Sequence, residues 1–187
     1  MNKVIENAYI RTLIEGHYIG FYLENNTLSI YNVKIPFSGK HSISILNIPS
    51  SIGGIPVTSI EYNGLTEVDS LQFITLPDTI TTIGERAFSG CINLKEITIP
   101  GSIKNIPFSF QSCDSLTKVF LHEGIETISS GAFSDCENIF EISFPKSLKY
   151  IDYNAFNQSK KIQIVHTNGN EQAINFAKKR NIPYILA

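Results

Sequence analysis

Short apolar segments recur along most of the chain at an almost constant spacing. Their first apolar residues are Leu46, Ile74, Ile97, Val119, Ile142 and Ile162, so the first step is longer than the others and the last is slightly shorter. Two further columns repeat with the same period, namely Phe88, Phe110, Phe133 and Phe156, and Ile60, Ile83, Ile106, Ile128 and Ile151. A period shared by independent columns predicts stacked coils that bury apolar residues only against their neighbours.

Within each unit, the order of apolar and polar residues predicts one short strand. In the segment 94–99, the apolar residues Leu94, Ile97 and Ile99 point to the core, and the polar residues Lys95, Glu96 and Thr98 face solvent. A leucine-type column lies three places ahead of the anchors, at Leu71, Leu94, Leu116 and Ile139. This is the strand pattern of a leucine-rich repeat. It predicts a parallel sheet on the inner face, with short helical or irregular outer segments filled by Ile103, Ile106 and Phe110.

Residues 76–100, LPDTITTIGERAFSGCINLKEITIP, contain the clearest copy of the repeat, with Ile83, Gly84, Ala87, Phe88 and Cys91 at its fixed positions. Through these residues the chain resembles the BspA-like leucine-rich-repeat family. Residues 46–60 resemble its first coil and residues 168–186 its closing segment. The resemblance implies an α/β fold in the form of a right-handed solenoid of five to six coils. It also implies a non-enzymatic binding protein, secreted or at the cell surface, with a role in adhesion or host interaction.

Both ends of a solenoid need caps, because otherwise they expose the core. We predict a single domain over 1–187, divided into an N-terminal cap (1–43), repeats (44–166) and a C-terminal cap (167–187). The first cap contains a β-hairpin whose polar turn spans 24–27. The second contains a helix that Asn170 caps and that ends near Asn181 and Pro183, followed by a strand, with the basic run 178–180 in the last helical turn. Residues 1–16 have a spacing of apolar residues that suits a helix packed over the hairpin, but they lack a strong helix start signal.

The charge and apolar content exclude some partner classes. With 15 Lys+Arg against 17 Asp+Glu, the net charge of −2 gives no basis for binding nucleic acid. No apolar run is long enough to span a membrane. The first residues carry Glu6, Arg11 and Glu15 where a signal peptide would need an apolar core, so a cytoplasmic location stays open beside the surface location.

The three cysteines, Cys91, Cys113 and Cys136, lie in one column of the repeat. Neighbouring sulfurs in such a column are about one strand spacing apart, ~4.8 Å, so the three cannot surround one zinc ion. Stacked parallel side chains also point the same way, which disfavours a disulfide. Since Val68 and Ser159 occupy the same column, we interpret the cysteines as small buried residues. We expect no metal and no cofactor.

No set of residues suggests catalysis. In the repeat alignment His122 falls with Pro145 and His166 with Lys146, two coils apart, so the two histidines do not converge. The abundant serines fall in turns, where they bond to the backbone. We therefore predict a protein with no catalytic residues.

The solvent side of the strands is the predicted binding surface. One place before the anchors, the residues are Phe73, Glu96, Lys118, Glu141 and Lys161; one place after, they are Thr75, Thr98, Phe120, Ser143 and Gln163. The charged column suits a cross-strand ion ladder. An exposed Phe120, near Phe73 and Phe140, suits a recognition patch. The candidate binding residues are Phe73, Thr75, Glu96, Thr98, Lys118, Phe120, His122, Glu141 and Ser143.

Three kinds of function fit this surface. The first is a protein-binding module that uses the strand face. The second is a carbohydrate-binding module that uses Phe120 or a tyrosine as a stacking platform. The third is an intracellular interaction scaffold.

Overall fold

The computed structural model describes residues 8–14, 17–33 and 43–186, and it is a β-solenoid of about six turns. The leucine-rich-repeat fold predicted from the sequence is confirmed. The strands of these residues, in chain order, are β1 Ala8–Ile14, β2 His17–Glu24, β3 Thr27–Val33, β4 Ile45–Asn47, β5 Ser51–Ile52, β6 Ile55–Ile60, β7 Phe73–Thr75, β8 Thr82–Ile83, β9 Glu96–Ile99, β10 Asn105–Ile106, β11 Lys118–Leu121, β12 Thr127–Ile128, β13 Glu141–Ser143, β14 Tyr150–Ile151, β15 Ile164–His166 and β16 Tyr184–Ile185. The helix α1, Glu171–Lys179, lies between the last two strands.

The anchor segments form the inner strands. β9, β11, β13, β15 and β16 make one parallel sheet, and β4 and β7 make a parallel pair before it. The alternation predicted for 94–99 is confirmed, because Leu94, Ile97 and Ile99 are fully buried and the polar residues between them are exposed. Each coil therefore offers a fixed set of polar side chains to solvent on this side.

The rest of each coil consists of turns and a second, narrow parallel sheet, β10, β12 and β14, which carries the isoleucine column. Within the described residues, α1 is the only α-helix. Of the two predicted forms of the outer segments, helical or irregular, the structure has the irregular one. Each coil has one left-handed residue directly before the cysteine column, at Glu67, Gly90, Ser112, Asp135 and Gln158. A left-handed residue ends a helical turn, which keeps each outer segment short.

A stack of phenylalanines runs through the core. The rings of Phe88, Phe110, Phe133 and Phe156 lie 4.7, 5.0 and 5.0 Å apart and almost parallel. The stack ends against Phe176 of α1, whose ring centre lies 5.2 Å from that of Phe156. The helix thus covers the open end of the solenoid.

The cysteine column is buried, as predicted, and its members are also hydrogen-bond donors. Each donates to the backbone carbonyl of an aromatic or leucine residue one coil earlier: Cys91 to Leu65 (3.2 Å), Cys113 to Phe88 (3.3 Å), Cys136 to Phe110 (2.9 Å) and Ser159 to Phe133 (2.8 Å). All three cysteines are free thiols. Burial raises the pKa of Cys91 to about 12, and the neighbouring Cys136 thiol together with burial raises the pKa of Cys113 well above its usual range. From Cys91 to Ser159 the column thus combines a small side chain with a hydrogen-bond donor, whereas Val68 at its start has no donor.

The last carbonyl of this series has a different donor. The Arg180 guanidinium donates to the carbonyl of Phe156 at 2.9 Å and to that of Ser159 at 3.4 Å. Burial lowers the pKa of Arg180. Arg180 thus stands where a next coil would supply its cysteine.

The predicted N-terminal hairpin is confirmed, with β2 and β3 antiparallel around Asn25 and Asn26, both left-handed. The helical interpretation of residues 1–16 is wrong over 8–14, which form β1 on the outer edge of β2. Burial alternates along β1 as in a strand, since Tyr9 and Leu13 are exposed while Ile10 is half-buried. Ile5 lies outside the described residues. β3 then pairs with β6, so this sheet is continuous with the first coils.

The C-terminal cap is the predicted helix and strand. The Asn170 side chain accepts a hydrogen bond from the Ala173 amide, and Ala173 and Ala177 are buried. β16 extends the inner sheet next to β15. No helix in the described part of the chain has the length and apolar character that crossing a membrane requires.

Candidate functional site

The strand register brings the central candidate residues side by side. Lys118 of β11 lies opposite Glu96 of β9 and Glu141 of β13. Phe120 lies opposite Thr98 and Ser143 on the same strands. These residues, with Phe73, Thr75 and His122, are called the strand face below.

The first part of the strand face has an interruption. Phe73 and Thr75 lie on β7, which pairs with β4 and lies next to β9. Among the described strands, no ladder pairing joins β7 to β9. A depression of about 370 Å³ lies at this point, lined by residues that include Phe73, Thr75, Glu96, Thr98 and His122. Five of the nine predicted residues therefore surround one concave feature.

The alignment of the last coil differs from the prediction. β15 pairs with β13 so that Val165, not Ile162, lies opposite Ile142, and the last step then equals the step from Val119 to Ile142. Ile162 belongs to the leucine-type column, three places earlier, and is buried there. The predicted positions of Lys161 and Gln163 are therefore wrong.

The corrected register adds His166 to the strand face, opposite Ser143. Its Nε2 lies 3.0 Å from the Glu141 carboxylate, which is also 3.6 Å from Lys118 Nζ. The placement of His166 with Lys146 is wrong for the same reason. The step from Phe120 to Ser143, repeated once more along the sequence, leads to His166, so a constant period carries the signal for this residue.

The charged column is only partly an ion ladder. Within the described residues, Lys118 makes an ion pair with Glu141 but none with Glu96. Such a solvent-exposed pair contributes about 0.2–1 kcal/mol to stability. Glu96 is exposed, so its carboxylate is available to a partner.

The aromatic residues of the strand face are less exposed than predicted. Phe120 and Phe73 are both half-buried, whereas Phe140 at the margin is 38% exposed. The ammonium of Lys95 lies 5.3 Å from the centre of the Phe73 ring, a cation–π contact that the sequence did not indicate. Phe120 lies between the small polar residues Thr98 and Ser143, and part of its side chain is accessible to solvent.

His122 and Asp78 connect the two concave parts of this surface. Both line the depression beside β7, and both line a second depression of about 660 Å³ that reaches Ser143 and Asn168. His122 is exposed. Asp78 was not among the predicted residues, because it lies in a turn outside the repeating strand columns.

The chemical groups of the strand face can be stated from its described residues. Across the described residues, no group of three or more histidine, cysteine, aspartate or glutamate side chains is placed to hold a metal ion. The three thiols are buried in the core. What the strand face offers is a row of hydrogen-bonding and charged groups with two half-buried aromatic rings.

Comparisons with known proteins agree with this architecture. The family model of the BspA-type leucine-rich repeat region matches six copies over residues 34–163. No curated protein shows significant similarity to the chain.

Solved structures of bacterial leucine-rich-repeat proteins share the fold. A T. pallidum protein has a TM-score of 0.68 at 23% identity, over 84% of this chain and 68% of its own. A protein from Eubacterium ventriosum has a TM-score of 0.66 at 21% identity, over 86% and 39%. The pneumococcal vaccine antigen PcpA has a TM-score of 0.63 at 19% identity, over 86% and 50%. This chain thus spans about two thirds of the first structure and half or less of the other two.

The family match extends over more than half of the chain, and the repeat that it describes is the coil seen in the structure. The chain belongs to the BspA-type leucine-rich repeat family.

Proposed function

We propose that the protein is a non-enzymatic binding module that presents the strand face to a protein partner. The observation that carries the proposal is the in-register row across β9, β11 and β13, where Phe120 lies between Thr98 and Ser143. Aromatic residues, phenylalanine included, are enriched at the core of protein–protein interfaces, where a polar rim surrounds them.

The electrostatics of the strand face favour a partner with mixed charge. Glu96 is exposed on one side of Lys118, while Glu141 is shared between Lys118 and His166 on the other. Since positive and negative groups alternate over adjacent strands, a complementary partner fixes its register by matching them. A folded protein surface or a peptide laid across the strands has this property.

We also propose that the protein acts at the cell surface or after secretion. The proposal rests on the family and on the fold shared with a protein described as a pneumococcal vaccine antigen. Labelling of intact cells with a membrane-impermeant amine reagent tests it. Labelling only after lysis would instead favour the intracellular scaffold.

A photo-crosslinking residue placed at position 120 tests the strand face directly. We expect it to capture one defined polypeptide from the native environment of the protein. The same residue at Tyr62, which is 56% exposed outside the strand face, is the matched control and should not capture that polypeptide.

The captured partner then allows an affinity measurement. Phe120→Asp should weaken its binding at least about tenfold, equivalent to about 1.4 kcal/mol, with the cooperative unfolding transition retained. Tyr62→Asp should leave the affinity unchanged. Equal affinity of wild type and Phe120→Asp, or capture from both positions alike, would contradict binding through the strand face.

A further inference from the structure

A separate concave site lies away from the strand face, at the C-terminal end of the solenoid. It is a cleft of about 470 Å³ between the last outer turn, residues 150–157, and one side of α1 with the residue that follows it. Its volume lies within the range of about 300–1,000 Å³ typical of small-molecule sites. The cleft belongs to the C-terminal cap and lies outside the strand columns.

Three aromatic rings line this cleft. Tyr153 is 88% exposed, Tyr150 is 51% exposed, and Phe176 of α1 is half-buried. The Tyr150 hydroxyl donates to the Asp152 carboxylate at 3.2 Å, and this carboxylate raises the pKa of Tyr150. Tyr150 is thus held in place by a neighbour, whereas the Tyr153 ring projects with most of its surface uncovered.

Four neutral amide side chains face the same space. Asn154 and Asn157 come from the last coil, and Gln172 and Asn175 come from α1. All four are exposed, and within the described residues none of these amide groups has a hydrogen-bond partner. Each amide offers a donor and an acceptor side by side, which is the pattern that adjacent hydroxyl groups of a ligand require.

Most of the charge around the cleft is already engaged. The second oxygen of Asp152 accepts a hydrogen bond from the Asn154 backbone amide at 2.9 Å. Arg180 is directed at backbone carbonyls of the last coil and lies over the Phe176 ring at 5.0 Å. Of the cleft's basic residues, only Lys179 has an exposed charge. The groups left for a ligand are therefore mainly aromatic faces and neutral amides.

We propose that this cleft binds a neutral saccharide. The C–H face of a pyranose ring stacks on Tyr153, and its hydroxyl groups bond to the amides of Asn154, Asn157, Gln172 and Asn175. The two walls come from different elements, so the ligand bridges the last coil and its capping helix. The site is independent of the strand face, and each of the two functions stands without the other.

An NMR titration of the full chain tests the proposal. The probes are cellotriose, maltotriose, chitotriose and β-1,4-galactotriose, with galacturonotriose as an anionic comparison, each added to about 10 mM so that a site with a Kd of about 1 mM is nearly saturated. We expect at least one neutral trisaccharide to shift the side-chain amide signals of Asn154 and Asn175. Absence of such shifts with every neutral probe, or binding of the anionic probe alone, would overturn the proposal.

Two variants locate the site. Tyr153→Ala and Asn175→Ala should each weaken binding of the shifting probe about tenfold or more, while Tyr62→Ala, an equally simple loss of an exposed ring elsewhere, should not. Asn175→Ala adds a good helix former in α1, so loss of binding there cannot come from a weakened helix. Undiminished binding by both cleft variants would refute the assignment even if the protein binds sugar.

Discussion

Replacing Arg180 tests how the solenoid closes its C-terminal end. In the wild type, the guanidinium donates to the carbonyl of Phe156 at 2.9 Å, beside the backbone hydrogen bond of 3.2 Å that this carbonyl accepts from the Ser159 amide. It also donates more weakly to Ser159 and lies over the ring of Phe176. Arg180→Ala removes all three interactions but leaves the helix residues themselves in place.

The expected cost can be estimated from these contacts. Because the carbonyl of Phe156 keeps the Ser159 amide as a partner, the loss is the net contribution of a hydrogen bond from a charged donor, about 1.5–3 kcal/mol. Loss of the cation–π contact adds about 0.5–1 kcal/mol. Since the two contributions share one side chain and are not strictly additive, we expect a loss of about 2–3 kcal/mol in the free energy of unfolding. This is a large part of the stability of an ordinary domain, about 5–15 kcal/mol.

Urea denaturation followed by far-ultraviolet circular dichroism measures this effect. With an m-value of about 2 kcal/mol/M, Arg180→Ala should lower the unfolding midpoint by about 1–1.5 M. Arg180→Lys keeps the positive charge but loses the planar guanidinium with its several donors. Its unfolding midpoint should therefore lie between those of the wild type and Arg180→Ala. Lys179→Ala changes an exposed cation on the same helical turn and is the matched control. Equal midpoints for Arg180→Ala and Lys179→Ala would refute the role of Arg180 as the terminal donor.

Two further predictions concern the cysteine column. Cys113→Ser keeps a donor to the carbonyl of Phe88 and should change the free energy of unfolding by less than about 0.5 kcal/mol. Cys113→Val loses this hydrogen bond, although the carbonyl keeps the Cys91 amide, and should cost about 0.5–1.5 kcal/mol in the same urea assay. If Cys113→Ser and Cys113→Val are equally stable, this position requires only a small side chain and no hydrogen-bond donor. Burial raises the pKa of Cys91 to about 12, so the folded protein favours the neutral thiol. The contribution of this thiol to the free energy of unfolding is complete below the pKa of the thiol in the unfolded chain, and it is lost as the pH rises toward 12. Stability of the wild type should therefore fall from pH 9 to pH 11 more steeply than that of Cys91→Ser, and parallel pH profiles would contradict this.

The sequence predicted the coil architecture well because several columns repeat independently. Stacking forces equivalent positions of each coil into one environment, so a column such as Phe88 to Phe156 reports the same burial in every coil. The period-two alternation around Ile97 then assigns the two sides of the strand. Both signals are local in the sequence and need no knowledge of distant contacts.

The last coil was misaligned for a physical reason. Ile162 and Val165 are both apolar and both buried, so either one satisfies a pattern that records only hydrophobicity. The distinction depends on which residue pairs with Ile142, and that pairing also decides whether His166 reaches Glu141. The step from Ile139 to Ile162, which equals the step from Leu116 to Ile139, carries the missing information.

The saccharide cleft could not be predicted from the repeat, because its two walls follow no common period. Tyr153 comes from a turn of the last coil and Asn175 from the capping helix, and they meet only because α1 packs beside β14. The exposure of Tyr153 is also invisible to a pattern of residue types. Only the folded end of the solenoid brings these residues into one cleft.

The way the coils hold together indicates where binding can occur. Between neighbouring coils the aromatic, isoleucine and cysteine columns are buried, so these side chains are unavailable to a ligand. Ile151, the last of the isoleucine column, is half-buried and lines the cleft beside α1. Surfaces become available where a column is interrupted or comes to an end. The described part of the chain has two such places. One lies between β7 and β9, where the strand pairing is interrupted, and the other lies beside α1, where Arg180 follows the cysteine column in place of a further cysteine. Both carry a concave surface, and this correspondence is the physical reason for expecting one binding function at each.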